Sequence, residues 1–378
     1  MEKKFMEEKI WKIGFIVNPI AGMGGIVGLK GTDGEEILKK AIELGAQPVA
    51  PQRAKIVLKT LLQLKKQLKL ITYPYEMGEN EAISVSFSPL VIGNITPGKT
   101  TAEDTKQAAK EMKKLKVDLI VFCGGDGTAC DIYEAIGDSI PVIGVPTGVK
   151  MHSAVFAVNP KAAAEVAIKF LTEGLPLRRA EVMDIDEEAF RAGILSAKLK
   201  GYLLVPYEPE LIQGVKTSSP LTDDEEENKV AIARYIVENM DPDAFYILGP
   251  GTTTKAIADL LGVEKTLLGV DIIKNGKIVA RDVGEREILK TIDKQKSKII
   301  ITPIGNQGFI FGRGNQQISP RVIRKVGIKN IIVIATKYKL STVKYLRVDT
   351  GDEHLDKELK GYIRVVTDYN EEKIVRVV

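Results

Sequence analysis

The chain has 378 residues, enough for two domains at roughly 150 residues each. Hydrophobic residues make up 44% and charged residues 28%, a balance that excludes disorder over the whole chain. A net charge of +4 is too small an excess for a nucleic-acid or membrane-surface protein, which concentrates basic residues.

In chain order, Met1–Ile10 (MEKKFMEEKI) is charged and carries no apolar signal-peptide core. No run of about 18 apolar residues occurs anywhere, so a cytoplasmic protein without a membrane span is expected. Lys12–Val17 (KIGFIV) reads as a buried strand that breaks into the glycine-rich turn Asn18–Gly25 (NPIAGMGG). Glu35–Leu44 and Ala54–Leu68 have helical spacing of apolar residues. Leu70–Tyr73 and Ala82–Ile92 contain strand-like pieces. Thr101 is placed to cap a helix reaching Leu115, with Asp104 three residues on. Val117–Cys123 (VDLIVFC) is a second buried strand; Ala129–Ile136 reads as a helix, Pro141–Val145 as a strand and Asn159–Glu173 as a helix. Alternation of this kind predicts a parallel sheet covered on both faces.

From Ala180 the rhythm changes. Glu181–Asp186 and Lys198–Pro206 read as strands, Ser218–Lys229 as an exposed acidic loop and Val230–Met240 as a helix. Phe245–Leu248 is a strand running into Gly249–Thr254 and a helix to Leu261. Lys298–Ile301, Ile331–Ala335 and Leu346–Val348 are further strands, and a strand at Ile363–Val366 has two possible homes, the second domain or a return to the first. The expected boundary divides the chain into 1–177, a nucleotide-binding α/β domain, and 178–378, a substrate-binding domain. Abundant Lys, Glu and Ile with scarce His, Cys and Trp fit a hyperthermophile proteome.

Five segments carry candidate chemistry. Gly124-Gly125-Asp126-Gly127-Thr128 lies between a buried strand and a helix. Glycines let backbone N–H groups approach phosphate oxygens, and the helix N-terminus adds positive potential. A carboxylate in such a loop is unfavourable unless it serves the chemistry. Asp126 would accept a proton from a substrate hydroxyl or hold Mg²⁺ against phosphates. A simple Asp-Gly turn is the alternative. Asn18, Gly22, Gly24 and Gly25 also follow a strand, where α/β sheets bind ligands, although no Gly-Lys-Ser/Thr makes this a Walker loop. Gly249, Gly251, Thr252, Thr253 and Thr254 would cap a helix or bind phosphate or ribose hydroxyls. Within Pro303–Gln317, five amides, four glycines and one arginine make Asn306, Gln307, Asn315 and Gln316 candidates for reading base or ribose edges and Arg313 a candidate phosphate clamp. A plain surface loop is the alternative. Thr147, Gly148, Lys150 and His152 follow a strand, so Lys150 and His152 could face one cleft. Cys123 and Cys130 read as small packed hydrophobes. Two cysteines and two histidines (His152 and His354) are too few for a disulfide framework or a zinc or His-rich metal centre, so no protein metal cluster is expected. His354 and the acidic stretch Asp349–Glu353 read as a solvated surface loop.

These segments resemble the archaeal and bacterial predicted ATP-NAD kinase family, which includes AcoX-like proteins and belongs to the superfamily of NAD kinases, diacylglycerol kinases and 6-phosphofructokinases. The matching stretches are NPIAGMGG (18–25), TTAEDT (100–105), GGDGT (124–128), GVKMHSAVF (148–156), EVMDIDE (181–187), GPGTTT (249–254) and GNQGFIFGRGNQQIS (305–319). The resemblance implies a phosphofructokinase-like parallel-sheet N-terminal domain, a second α/β or α+β domain, and a cleft between them. It implies that Asp126 is the general-base or metal-supporting residue and that Gly124, Gly125 and Gly127 contact phosphate. Standard NAD kinases read adenosine with an Asn-Glu pair after the segment matching Gly144–Phe156. Here the Asn-Glu dipeptides are Asn80-Glu81 and Asn370-Glu371, and Asn159-Pro160 sits nearest the expected place.

The leading expectation is transfer of a phosphoryl group from ATP or polyphosphate, with Mg²⁺, to the 2′-hydroxyl of NAD, giving NADP. A kinase for a sugar, nucleoside or lipid head group is the second reading. A nucleotide-binding regulator without turnover is the third, opposed by the carboxylate of Asp126. Superfamily members are often homo-oligomers, so a dimer or larger assembly is expected by analogy.

Overall fold

The computed structural model describes residues 9–29, 31, 34–149, 151–185, 196–216 and 222–378. They form two compact units: the described residues of Met1–Gly22, Pro48–Ile185 and Ala197–Gln213, and those of Met23–Gln47, Asp186–Ser196 and Gly214–Val378. The expected division after residue 177 differs from this one. The strands 177–185 and 197–206 pack on the helix that starts at Asp126, and 23–47 goes with the later residues.

The first unit begins with β1 (Trp11–Val17), followed within the unit by β2 (Leu68–Thr72), β3 (Leu90–Val91), β4 (Leu119–Gly124) and β5 (Val142–Pro146). All pair in parallel in the order β3-β2-β1-β4-β5, with Val17 opposite Cys123. β4 and β5 are buried at every position, the pattern of strands covered on both faces. Chain order reverses at the β1–β4 boundary, the switch point beside which such sheets bind ligands. Of the helices, α1 (Glu35–Glu43) belongs to the second unit. α2 (Ala50–Leu61), α3 (Glu79–Ser84), α4 (Ala102–Lys114), α5 (Asp126–Ile136) and α6 (Pro160–Glu173) belong to the first.

The helix α4 has the expected start: Thr101 and Asp104 form a reciprocal capping box. Residues 82–92, expected as strand-like, contain the end of α3 and only the two-residue β3. The helix after β4 starts at Asp126 rather than Ala129, so the aspartate belongs to its first turn. The antiparallel pair β6 (Leu177–Ile185) and β7 (Ala197–Pro206) lies over α5, where Gly201 leaves room for the Tyr133 ring.

The second unit holds a seven-stranded sheet in the order β10-β9-β8-β11-β13-β15-β16. Its strands are β8 (Phe245–Leu248), β9 (Asp271–Lys274), β10 (Lys277–Ala280), β11 (Ser297–Ile301), β13 (Ile331–Ile334), β15 (Gly361–Asp368) and β16 (Glu371–Val377). β12 (Phe309–Phe311) and β14 (Arg347–Val348) pair separately. β8, β11, β13 and β15 are parallel, so residues 363–366 belong to the second sheet and do not return to the first. The unit's helices are α7 (Asp223–Glu238), α8 (Thr252–Leu260), α9 (Glu285–Thr291), α10 (Pro320–Val326), α11 (Lys337–Ser341) and α12 (Glu353–Leu359). Two apolar clusters hold the unit, one centred on Ile299, Ile301 and Val322 and one on Ile232, Ile257 and Ile300.

Two acidic stretches differ from expectation. Residues 223–229 are helical, not a loop: Thr222 caps α7, and Asp223, Asp224, Glu225 and Glu226 lie in its first turn, where carboxylates favour the helix dipole. Asp349 is buried, and Asp352 caps α12 by accepting from the backbone N–H groups of His354 and Leu355.

Candidate active site

The ends of β1, β4 and β5 are tied together by the residues of the glycine motifs. Asn18 donates its backbone N–H to Cys123 O at 2.9 Å and its side-chain amide to Thr128 Oγ1 at 3.0 Å. Gly124 is required locally, because a Cβ there would lie 2.4 Å from Thr128 Cβ. Thr147 donates its backbone N–H to Gly124 O at 3.1 Å. Its own Oγ1 is buried without a partner. Gly22 has φ +82, and a Cβ on it would sit 1.9 Å from Thr147 O. Its glycine is therefore demanded by packing.

Asp126 is 5% exposed and its carboxylate is surrounded by donors from one short segment. Oδ2 accepts the backbone N–H of His152 at 2.8 Å and lies 3.3 Å from His152 Nδ1. Oδ1 accepts the backbone N–H of Ser153 at 2.9 Å and its hydroxyl at 2.6 Å. Such a shell satisfies the hydrogen-bonding capacity of a carboxyl group that burial has removed from water. The Ser153 hydroxyl oxygen accepts the Met183 N–H at 2.9 Å, which links the segment to β6, and Gln213 Nε2 donates to Ser153 O at 3.0 Å. Sequence reasoning missed Ser153 and Gln213. Ser153 lies inside the quoted stretch GVKMHSAVF, directly after a selected histidine, but its partner is 27 residues away.

His152 is 2% exposed and bound to Asp126, rather than presented to an open cleft. Lys150 lies outside the described residues. Gly125 caps α5 in an extended conformation. Gly127 is exposed, and a Cβ on it would meet nothing within 4 Å. Asn159 is the N-cap of α6, its Oδ1 accepting from Ala162 N at 2.8 Å. Both cysteines are buried; burial pushes the Cys123 thiol up and the Cys130 thiol up to about 12, so neither is a thiolate at neutral pH.

The other selected residues lie in the second unit. Gly24 and Gly25 separate there from Asn18 and Gly22, and Gly25 abuts the Gln316 side chain. Gly249 and Gly251 line the turn before α8. Thr252 is exposed, whereas Thr253 and Thr254 are buried, and the Thr254 hydroxyl bonds Gly249 O at 2.7 Å. Four of the loop's five selected side chains hold the protein itself. Asn306 Nδ2 donates to Val215 O, Gln307 Nε2 to Gly214 O, and Asn315 Nδ2 to Ile310 O. Arg313 is 4% exposed, 2.5 Å from Asp349 Oδ2 and stacked over Phe309. The expected phosphate clamp is thus a buried ion pair.

No group of three or more His, Cys, Asp or Glu side chains capable of holding a metal occurs among the described residues. Both Asp126 oxygens are already engaged by N–H and O–H donors.

A parallel sheet whose switch point is followed by a GGDG helix start is the α/β arrangement in which ligands are taken at the strand ends. Residues 13–175 match the model of the ATP-NAD kinase N-terminal domain and residues 242–377 that of the ATP-NAD kinase C-terminal domain. The chain therefore belongs to the ATP-NAD kinase family: it is a kinase, a phosphotransferase acting on an alcohol group. No curated protein matches it. Solved structures similar to it include a UDP-N-acetylglucosamine 2-epimerase at 10% identity, with 91% of this chain and 75% of that one covered. A putative UDP-N-acetylglucosamine 2-epimerase from Listeria monocytogenes follows at 13% identity, covering 91% and 75%. The UDP-GlcNAc 2-epimerase from Neisseria meningitidis bound to UDP-GlcNAc has 9% identity, covering 90% and 78%. Each has a TM-score of 0.24, too low to carry an argument. No helix among the described residues is long and apolar enough to cross a membrane.

Proposed function

We propose that this kinase transfers the γ-phosphoryl group of ATP to the 2′-hydroxyl of the adenosine ribose of NAD, giving NADP, with Asp126 receiving or orienting the hydroxyl proton. The observation that carries the reading is the buried, donor-ringed carboxyl group of Asp126 at the N-terminus of α5, beside the β1–β4 switch point. An incoming hydroxyl can replace the Ser153 Oγ at Oδ1, exchanging one neutral donor for another, while the backbone N–H groups of His152 and Ser153 keep the carboxylate aligned. Phosphoryl transfer is chiefly positioning and charge stabilisation. In this reading the exposed face of Gly127 and the first-turn N–H groups of α5 receive phosphate oxygens, with Asn18 and Thr128 holding the loop. A divalent metal would arrive on the nucleotide's phosphates, and no step is assigned to it.

A second reading, phosphorylation of another alcohol, is favoured by Asn159. The asparagine nearest the place of the adenosine-reading pair has its side-chain oxygen committed to capping α6. Calorimetric titration of the full chain with NAD, NADP, ATP and ADP in Mg²⁺ separates the two. Micromolar binding of NAD or NADP together with ATP is expected. Binding of ATP with no response to either dinucleotide would overturn the first reading and favour the second.

A further inference from the structure

The second sheet has a switch point of its own. β8 and β11 are parallel neighbours, with Ile247 opposite Ile299. From β8 the chain passes through α8 to β9 on one side, and it returns through α9 to β11 on the other. Their carboxyl ends therefore flank a crevice of the kind in which open α/β sheets take ligands.

Lys339 of α11 spans the two strand ends. Its Nζ lies 3.1 Å from Thr253 Oγ1, after β8, and 3.0 Å from Thr302 Oγ1, after β11. The residue is 7% exposed. Among the described residues no carboxylate lies within salt-bridge range of it. A buried ammonium with no carboxylate in contact is costly unless something further neutralises it. The charged groups around it are Glu225 and Lys229 of α7 and Lys216. Glu225 accepts the Thr336 hydroxyl at 2.8 Å, and Lys229 holds Glu226 at 2.5 Å. Burial pushes the Lys339 amine down to about 8.

An ammonium has three donors, and two are placed on hydroxyl oxygens. Each of those hydroxyls keeps its own proton to donate. Gly251, with φ +117, holds the turn bare where a Cβ would meet Thr302 Cγ2 at 3.0 Å. The site thus gathers donors on both sides of the crevice, and among the described residues Glu225 is near but not in contact with the ammonium.

We propose that this crevice binds a phosphate group of a nucleotide, held by Lys339 Nζ and by the hydroxyls of Thr253 and Thr302. The phosphate belongs to the phosphoryl donor or to the dinucleotide. The inference goes beyond the reading of Asp126 and does not depend on it.

The test is calorimetry of the full chain near pH 8 with inorganic tripolyphosphate, ATP and NAD, each in two buffers of different ionisation enthalpy. An anion beside Lys339 raises its affinity for protons, so tripolyphosphate binding to the wild type should take up protons. Lys339→Met should lose that uptake and weaken binding about 10-fold or more. Lys339→Arg, always charged, should restore binding without the uptake. Whichever of ATP and NAD loses affinity in Lys339→Met identifies the source of the phosphate. Absence of tripolyphosphate binding to the wild type, or unchanged proton uptake in Lys339→Met, overturns the proposal. If Lys339→Met does not fold, Thr253→Val supplies the answer: weaker tripolyphosphate binding supports the site and unchanged binding overturns it. Binding at this crevice requires no turnover, so failure leaves the role of Asp126 standing.

Discussion

The two sheets each place a buried side chain of opposite type, one acidic and one basic, beside the ends of parallel strands. In the first unit, the β1–β4 switch point holds a buried carboxylate, Asp126, surrounded by donors. In the second, the β8–β11 switch point holds a buried ammonium, Lys339, touching two hydroxyls. A parallel strand end followed by a glycine-containing turn and a helix therefore does not define a chemistry. At one site the protein's own donors already surround the carboxyl group, which is why a hydroxyl is proposed there. The other has no carboxylate in contact with it among the described residues, which is why an anion is proposed there. The glycines differ in the same way: Gly22 is bare because Thr147 O occupies its Cβ position, whereas Gly127 is bare toward open space.

The largest expected effect that sharpens this contrast is at Asp126. Asp126→Asn should lower the rate of NADP formation by about 10²–10⁴-fold, measured by steady-state kinetics. It should also lower stability by about 1–3 kcal/mol, because the amide turns a donor toward the N–H groups of residues 152 and 153. Wild-type turnover in this variant would remove Asp126 from the chemistry.

Gly22→Ala comes next. It forces an L side chain to φ +82 and into Thr147 O, which should cost about 2 kcal/mol or more in a denaturant titration. Gly127→Ala should do the reverse, stabilising α5 by up to about 1 kcal/mol while weakening ATP binding, because the new methyl occupies the approach to the first turn. A stabilised variant with unchanged ATP affinity would show that phosphate does not approach Gly127.

The last effect is a pH slope from Glu81. Burial, with Glu76 nearby and despite Lys55, pushes its carboxyl up to about 7, against about 4.3 in the unfolded chain. The stability this group contributes is fully present below the unfolded value and is lost as pH rises through 7. Glu81→Gln should therefore gain stability relative to wild type between pH 5 and pH 8, read from denaturant midpoints. An identical difference at both values would contradict the shift.

Local signals are legible wherever neighbours in sequence are also partners in space. Thr101 and Asp104 cap the helix they announce, and the buried strands before GGDG and GPGTTT form as their apolar runs predict. The acidic run after Thr222 reads as a loop because its charges suggest solvent, although four carboxylates after a threonine are also a helix start. One strong signal went unused: Asn275-Gly276, with φ +46 and +67, turns β9 into β10, the residue pair that a tight hairpin favours. Side-chain partners are illegible for a different reason. Arg313 meets Asp349, Asp126 meets Ser153 and Lys339 meets Thr253 across 36, 27 and 86 residues. Nothing local marks such a pairing. A glycine-rich segment announces close packing, but only the neighbour tells whether the space is for the protein or for a ligand.

The most direct measurement of the central claim is the fate of the label when the purified chain is incubated with γ-labelled ATP, a divalent metal and NAD. The account predicts label on the 2′-phosphate of newly formed NADP, with none formed from 2′-deoxy-NAD. Label released to water or left on ATP, with NAD unchanged, would contradict it.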